Sequence, residues 1–409
     1  MAGLWTVCAV GKGGDDCLAC CFFDPKEEVM TITVLQIIPA LGTGGAEQAC
    51  VDVAVGLVER GDRAIILSTG GWRVEKVEER GSRHYVCPVA TKNPLKIIKN
   101  AFWLAGLIRD EHIDVVHARS RAPAWSARIA CRLTGCPFVT TFHADYKFSN
   151  RFKKAYNRVM ASANRVIAIS PYIAQKIKDD YGVPEERIRL INRGLDLTYY
   201  NKQRITDAKR DKWVKQWEIA LDRPVIVFPA RLSPIKGHML ILQALGILKK
   251  AGMDMPLMLF VGDNQGREAY SLKLSEKIEA ENLDGDVVMV GACSDMPAVY
   301  SMATLVVQPS QVPEGFGRVP VEAMAMEVPV LASAIGAMVH TVEEGVTGWL
   351  VNPFDVDAWA TALHKAMVME PAARAKIGKA GRAHVAKHYG KNEMVQKTLA
   401  VYDELVTHG

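Results

Sequence analysis

Two carboxylates, Glu314 and Glu322, bracket a glycine- and proline-rich stretch, Pro313-Glu314-Gly315-Phe316-Gly317-Arg318-Val319-Pro320-Val321-Glu322. Carboxylates accept hydrogen bonds from hydroxyls such as those of sugars and ribose. At about 100° per residue, their spacing leaves the pair about 80° apart on one helix, so helix geometry does not pair them. Pro313, Gly315 and Gly317 put Glu314 in a loop. Pro320 suits a first helical turn, so the reading is a helix over Val319–Met326 with Glu322 in that turn. A loop carboxylate and a first-turn carboxylate can face one ligand from two heights, and the glycines let backbone N–H groups come close. Glu322 can equally do no more than complement the helix dipole.

Two cations, Arg231 and Lys236, lie in Pro229-Ala230-Arg231-Leu232-Ser233-Pro234-Ile235-Lys236-Gly237. A strand ends at Phe228 and a helix starts after Gly237, so both stand at the mouth of a sheet. That suits a diphosphate, with Arg binding bidentately and Lys as a point charge. A solvated loop has the same composition. Gly42-Thr43-Gly44-Gly45-Ala46-Glu47 follows another strand, where backbone N–H groups can approach an anion, although a tight turn needs the same glycines. Ser68-Thr69-Gly70-Gly71 stands where a dinucleotide fold needs an acidic residue, which disfavours a nicotinamide cofactor. His143 directly follows the strand Pro137–Thr141, open to a cleft role or to that of a satisfied structural histidine.

The elements that must hold these loops are Val- and Ile-rich runs separated by helical segments. Ile32–Ile38, Ala64–Leu67, Val115-Val116, Pro137–Thr141, Val166–Ile169 and Ile188–Ile191 form one series. Val225–Phe228, Leu257–Val261, Val287–Val290, Leu305–Val307 and Val330-Leu331 form a second. Such runs mean parallel sheets covered on both faces. The expected fold class is α/β, two doubly wound Rossmann-like domains facing across a cleft, with ligands outside the carboxyl ends of the strands. The Lys-, Arg- and Asp-rich stretch 201–222 marks the boundary, giving domains 30–205 and 206–390 and a helical end, 391–409.

The 409 residues, 49% hydrophobic, exclude a mainly disordered chain and exceed one ordinary core. No apolar run approaches the roughly 18 residues that span a bilayer. Residues 30–200 carry 25 Lys and Arg against 16 acids, whereas residues 201–409 carry 23 against 24. The basic first block favours an anionic partner or membrane surface, or is simply a solvated face. Nine irregularly spaced cysteines fit the reduced thiols of a cytoplasmic protein, and Cys17, Cys20 and Cys21 have no histidine nearby to complete a metal site. Residues 1–29 hold four of the nine cysteines and no helical period, and no basic residue precedes the apolar Ala2–Val10 as in a secretory signal. They are expected to be an atypical extension, with Met30 as the real start.

Over about residues 31–405 this set of loops resembles the retaining GT-B glycosyltransferases with the E-x7-E motif, especially bacterial enzymes of lipopolysaccharide and exopolysaccharide assembly. Glu314 to Ala325 carries most of the likeness. Gly44–Glu47, Ile191-Asn192-Arg193-Gly194-Leu195-Asp196, Arg231 with Lys236-Gly237, Val261-Gly262-Asp263 and Gly345–Leu350 support it. The resemblance implies that Arg231 and Lys236 hold a donor diphosphate, Glu322 binds ribose, and Glu314 contacts the donor sugar beside Gly315 and the backbone of Phe316 and Gly317. Gly44 and Gly45 would close over phosphate and acceptor, His143 would sit by the reacting carbon, and Asp263 and Cys293 would line the donor site, Cys293 near the base. The C-terminal helix, 391–406, would cross back to the first domain. The implied enzyme is a hexosyltransferase-type glycosyltransferase that keeps the anomeric configuration and needs no metal and no cofactor beyond a UDP- or GDP-linked sugar donor.

Glu327, Ala337 and His340 depart from the family pattern, and bear on donor identity. Asp284-Gly285-Asp286 spells D-x-D but reads as a turn. Basic and aromatic residues over 94–109 and 151–158 fit either a helix packed on its sheet or one lying on an anionic membrane. The expected partners are a nucleotide sugar, a glycan or glycolipid acceptor and an anionic membrane surface, with no nucleic acid. The expected location is cytoplasmic, peripheral on the inner membrane. A GT-B nucleotide-sugar epimerase and a non-catalytic nucleotide-sugar binder are the competing readings.

Overall fold

Runs of aliphatic residues build thirteen short strands among the described residues, 31–407 of a computed structural model. The reading of residues 1–29, with Cys17, Cys20 and Cys21, lies outside them. The first lobe runs β1 (Thr33–Ile37), α1 (Gly45–Arg60), β2 (Arg63–Ser68), α2 (Val74–Glu78), β3 (Arg83–Val86), α3 (Pro94–Asp110) and β4 (Val115–Ala118). It continues with α4 (Arg121–Thr134), β5 (Phe138–Phe142), α5 (Arg151–Asn157), β6 (Arg165–Ala168), α6 (Pro171–Tyr181) and β7 (Ile188–Leu190). After α7 (Asp207–Gln216) the second lobe runs β8 (Val225–Pro229), α8 (His238–Lys250), β9 (Leu257–Val261), α9 (Glu268–Ala280), β10 (Val287–Gly291), α10 (Met296–Met302) and β11 (Leu305–Gln308). Then come α11 (Arg318–Ala325), β12 (Val330–Ser333), α12 (Met338–Thr341), β13 (Gly348–Val351), α13 (Val356–Met367), α14 (Pro371–His388) and α15 (Lys391–Val406).

Both sheets are parallel, ordered β3-β2-β1-β4-β5-β6-β7 and β10-β9-β8-β11-β12-β13. Strand order reverses between β1 and β4 in the first and between β8 and β11 in the second. Helices leave opposite faces at such a point and open a crevice at the strands' carboxyl ends. The loops after β1, β4, β8 and β11 are therefore the ones the fold offers to a ligand.

The sequence reading needs two corrections, and the boundary stretch 201–222 holds a helix: Thr206 caps α7 by accepting from the Lys209 N–H, and Trp213 is buried against Trp217. The helix read over Val319–Met326 starts earlier, at Arg318, so Glu322 lies in its second turn. The strands β3 and β13 join the sheet edges, where the sequence reading had none.

Glu327 stands just past α11 with φ 60, and its N–H donates to the Met324 carbonyl at 3.0 Å. A left-handed residue closing a helix is usually glycine, because a Cβ is strained there. The departure at Glu327 is thus a backbone matter at the far end of α11 from the Glu314 loop, not a feature of a donor-facing surface. Glu327→Gly is expected to stabilise the protein by about 0.5–1 kcal/mol. A urea midpoint that is unchanged or lower would contradict this.

One buried cluster runs through both lobes, joining Val116, Phe142 and Ile173 to Val227, Leu259 and Val330. A second, under α1, takes in Met394, Leu399 and Tyr402 of α15, which packs on the first lobe. There the Tyr402 hydroxyl lies 2.7 Å from His117 Nδ1, and Glu404 pairs with Arg165 at 2.7 Å and with Arg189.

Candidate active site

The second sheet's switch point brings together residues from two loops. After β8, Pro234–Lys236 forms one turn of tight helix that ends at Gly237, φ 88, where a Cβ would collide with the Pro309 carbonyl. This close approach sets the β8 loop against the β11 loop. Lys236 Nζ then lies 2.6 Å from Glu314 Oε1. The same oxygen accepts from Gln308 Nε2 at 2.6 Å and from the Ser310 hydroxyl. Three donors on one oxygen fix the carboxylate. Gly336, φ 64, supports it from β12: a Cβ there would come 2.7 Å from the Glu314 nitrogen. Ala337 next to it has an ordinary φ of −71 and donates its N–H to the Glu314 carbonyl at 2.9 Å, so that departure strains nothing. His340 is exposed.

Arg231 stands at the same mouth but does not converge with Lys236. It is exposed and donates to Gln265 Oε1 at 2.8 Å, along the β9 loop. Asp263 shapes that loop by accepting from the Gln265 N–H at 2.8 Å. Cys293, beyond β10, is half-buried, and burial above all raises its thiol pKa.

Glu314 and Glu322 do not meet on one partner. Glu322 is buried, with Oε1 2.5 Å from Arg318 Nε and Oε2 accepting from the Tyr300 hydroxyl at 2.9 Å. Burial, and then the Glu322 charge, push the Tyr300 phenol well above its usual pKa, so it stays a donor. The hydroxyl that Glu322 holds in this structure is Tyr300's.

The Glu314 loop also touches the first lobe. The Gly315 carbonyl accepts from the Ser170 hydroxyl at 2.6 Å, and a Cβ at Gly315 would lie 3.3 Å from Ala144 Cα. Gly317, φ 85, has Met338 where a Cβ would go. Phe316 is buried edge-on to Tyr389, with the Arg193 guanidinium 5.9 Å from its ring centre. Arg193 also fills the space a Cβ on Gly45 would need, and Gly44 precedes α1 without a side-chain cap. Gly45, Arg193, Phe316 and Arg318 surround a cavity of about 30 Å³, room for about one water.

His143 lies in the same region, half-buried, with neither ring nitrogen bonded within the chain. Burial, then the charges of Arg193 and Arg119, hold it well below the usual histidine pKa, so it is neutral. Arg193, Arg318 and Tyr300 were missed from sequence. Arg193 follows a short strand and precedes a glycine, which is the signal that Lys236 also gave, and Arg318 is one helical turn before Glu322.

His238 is buried between Phe228, 4.3 Å away and stacked, and Phe260. Burial above all pushes its pKa down to about 4. The unfolded chain takes a proton near pH 6.5 and the native state refuses it, so stability is full above that pH and falls below it. Unfolding free energy should drop by about 2 kcal/mol from pH 8 to pH 5 through His238 alone. Paired carboxylates lose their contribution only at lower pH. Urea titrations of the wild type and of His238→Gln check this: the wild type should show the steeper slope.

The D-x-D stretch is structural. Asp286 pairs with Arg223 at 2.5 Å and Lys249 at 2.7 Å, and Gly285 turns the chain at φ 77. Among the described residues no three His, Cys, Asp or Glu gather as a metal site.

The family model described as Glycosyl transferases group 1 matches residues 209–384, and that of Glycosyltransferase Family 4 matches residues 43–199. A crystal structure of a glycosyltransferase from Rickettsia africae is 32% identical, covering 93% of this chain and 100% of that one, with a TM-score of 0.86. The D-inositol 3-phosphate glycosyltransferase 1 of Catenulispora acidiphila is 29% identical over 75% of this chain and 76% of that protein. The Anabaena protein HepE, solved in complex with UDP-glucose, shares the fold at 23% identity and a TM-score of 0.75, covering 91% of this chain and 100% of that one.

Proposed function

Because the chain belongs to the group 1 glycosyltransferases and has their GT-B fold, we propose that it moves a sugar from a nucleoside-diphosphate donor to a glycan or glycolipid acceptor with retention of configuration. The observation that carries this reading is the Lys236–Glu314 pair, fixed at the switch point of the second sheet. Glu314 has one oxygen saturated by three donors, and its other oxygen accepts from the donor sugar's hydroxyls. Lys236 faces the diphosphate, and the exposed Arg231 swings to it from Gln265. The bond from the anomeric carbon to the phosphate oxygen breaks, the acceptor oxygen bonds to that carbon on the same face, and the acceptor proton passes to the departing phosphate. Fixed cations there stabilise the charge that develops, which is the work a metal does in other enzymes. Neutral His143 donates or accepts one hydrogen bond beside the reacting carbon. Glu322 exchanges the Tyr300 hydroxyl for a ribose hydroxyl. Asp263 and Cys293 border the nucleotide, and Gly44 and Gly45 close over phosphate and acceptor.

UDP is the expected nucleotide, supported by the UDP-glucose in the Anabaena complex, with GDP the competitor. The expected setting is lipopolysaccharide or other surface-polysaccharide assembly, in the cytoplasm with peripheral contact to anionic membrane. On α3, Leu95 and Phe102 are 77% and 63% exposed, and on α5 Phe152 is 80% exposed, among Lys96, Lys99, Arg151 and Lys153. An ordinary packed helix would hide such side chains, whereas a membrane surface would take them up. No helix among the described residues is long and apolar enough to cross a membrane.

A thermal-shift panel of UDP-, GDP- and ADP-sugars tests the donor. A donor at 100 times its dissociation constant should add about 2.7 kcal/mol, and Glu314→Ala should bind nucleotide yet lose transfer. The reading fails if no nucleotide sugar shifts the melting temperature. Nucleotide release without any acceptor would point to an epimerase instead.

A further inference from the structure

Five cysteines fall among the described residues, all of them free thiols. Cys50 and Cys87 are buried and Cys293 is half-buried, and none of these three has another cysteine acting on it. Cys131 and Cys136 differ: among the described residues they are the one pair of thiols in contact.

The end of α4 brings them together. Cys131 lies in the last turn of that helix, which closes at Thr134. Gly135 then turns the chain with φ 79, a left-handed conformation that glycine adopts freely, and its N–H donates to the Cys131 carbonyl at 2.8 Å. The Thr134 hydroxyl donates to the Ala130 carbonyl at 3.0 Å and accepts from the Cys136 N–H at 3.3 Å. The chain thus folds back along the last helical turn, and residue 136 returns to the side chain of residue 131. The Cys136 thiol donates to the Ile113 carbonyl at 3.4 Å. Its sulfur accepts from the Cys131 thiol, and this contact first, then burial, holds the Cys131 pKa well above the ordinary thiol range. Cys131 is buried in the large core cluster, whereas Cys136 at its margin is half-buried. One thiol is reachable from solvent, and the other lies directly behind it.

We infer that Cys131 and Cys136 form a redox site, a dithiol that hydrogen peroxide converts to an intramolecular disulfide. Cys136 reacts first, because the thiolate is the nucleophile and Cys131 is held as a thiol. The Cys136 sulfur bonds to one peroxide oxygen, the oxygen–oxygen bond breaks, and the departing hydroxide takes the Cys136 proton and leaves as water. The Cys131 sulfur then attacks the resulting sulfenic acid: the sulfur–sulfur bond forms, the sulfur–oxygen bond breaks, and that hydroxide leaves with the Cys131 proton as a second water. The two thiols give up two electrons and the peroxide gains them. In a reducing compartment such bonds are transient and serve sensing. The bond fastens the end of α4 to the start of β5, the strand that runs to His143. This chemistry needs no nucleotide sugar and stands apart from sugar transfer.

The test treats the full chain with hydrogen peroxide, alkylates the remaining thiols with iodoacetamide under denaturing conditions, and maps tryptic peptides by mass spectrometry. Trypsin cuts after Arg128, Arg132 and Lys147, so the disulfide joins Ile129–Arg132 to Leu133–Lys147. We expect that joined pair as the main product, lighter than the two thiol peptides by two hydrogens and lost on treatment with dithiothreitol. In Cys131→Ala, dimedone should trap Cys136 as its sulfenic acid. In Cys136→Ala, a milder change at a half-buried position, Cys131 should remain fully alkylated. The inference is overturned if the wild type gives no joined pair under conditions that oxidise glutathione, or if Cys131 and Cys136 pair with other cysteines instead of each other. The wild-type map decides by itself if either variant fails to fold.

Discussion

Lys236→Ala should lower sugar transfer by about 10²–10³-fold while leaving a folded protein. Removing one preorganised group that faces developing charge costs about 3–4 kcal/mol in the transition state. Lys236 is the group in question because its turn is locked by Gly237 against Pro309 and its Nζ is already 2.6 Å from Glu314. The variant separates electrostatics from positioning. Gln308 and Ser310 still hold Glu314, so the carboxylate should keep its place. The lost ion pair is partly exposed and should cost at most about 1 kcal/mol of stability. The check is a kcat measurement beside a melting curve. Turnover within twofold of wild type would remove Lys236 from the site; a collapsed melting temperature would show that its role is structural.

The second large effect concerns α15. Ending the chain after Gly390 should abolish soluble folded protein. The lost helix contributes the buried Met394, Val395, Leu399 and Tyr402 to the first lobe. At about 1.5–3 kcal/mol for each large apolar side chain, the loss is about 6–12 kcal/mol, comparable to a whole domain's stability. The milder Tyr402→Phe should cost about 1–3 kcal/mol, because it leaves His117 Nδ1 buried without its hydroxyl partner. Denaturant titration measures it. A loss of under half a kcal/mol would mean that the His117–Tyr402 contact holds nothing in place.

The layered fold is legible because strands covered on both faces must be continuously aliphatic, as Val225-Ile226-Val227-Phe228 is. Edge strands escape that rule. Arg83-His84-Tyr85-Val86 pairs on one side only, and two of its four residues are exposed. The helix α7 escapes because its sequence is almost wholly polar and only Trp213 is buried. At the site, strand-end chemistry points to Lys236 and Glu314 separately. Their contact joins residues 78 apart in sequence and depends on a glycine that lets two loops touch. Glu322 falls in the second turn instead of the first because Gly317, φ 85, starts the helix at Arg318, one residue before the expected Val319. Arg193 gave the same strand-end signal as Lys236, but its partners, Gly45 and Phe316, come from distant parts of the chain.

The buried cluster that joins Val116 and Phe142 to Val227 and Val330 ties the two halves together, so they are expected to unfold as one. Neither half presents a finished surface by itself, so fragments cut between them would expose a shared seam of aliphatic side chains. The molecule should melt in a single endotherm, and its halves should reconstitute only as a pair.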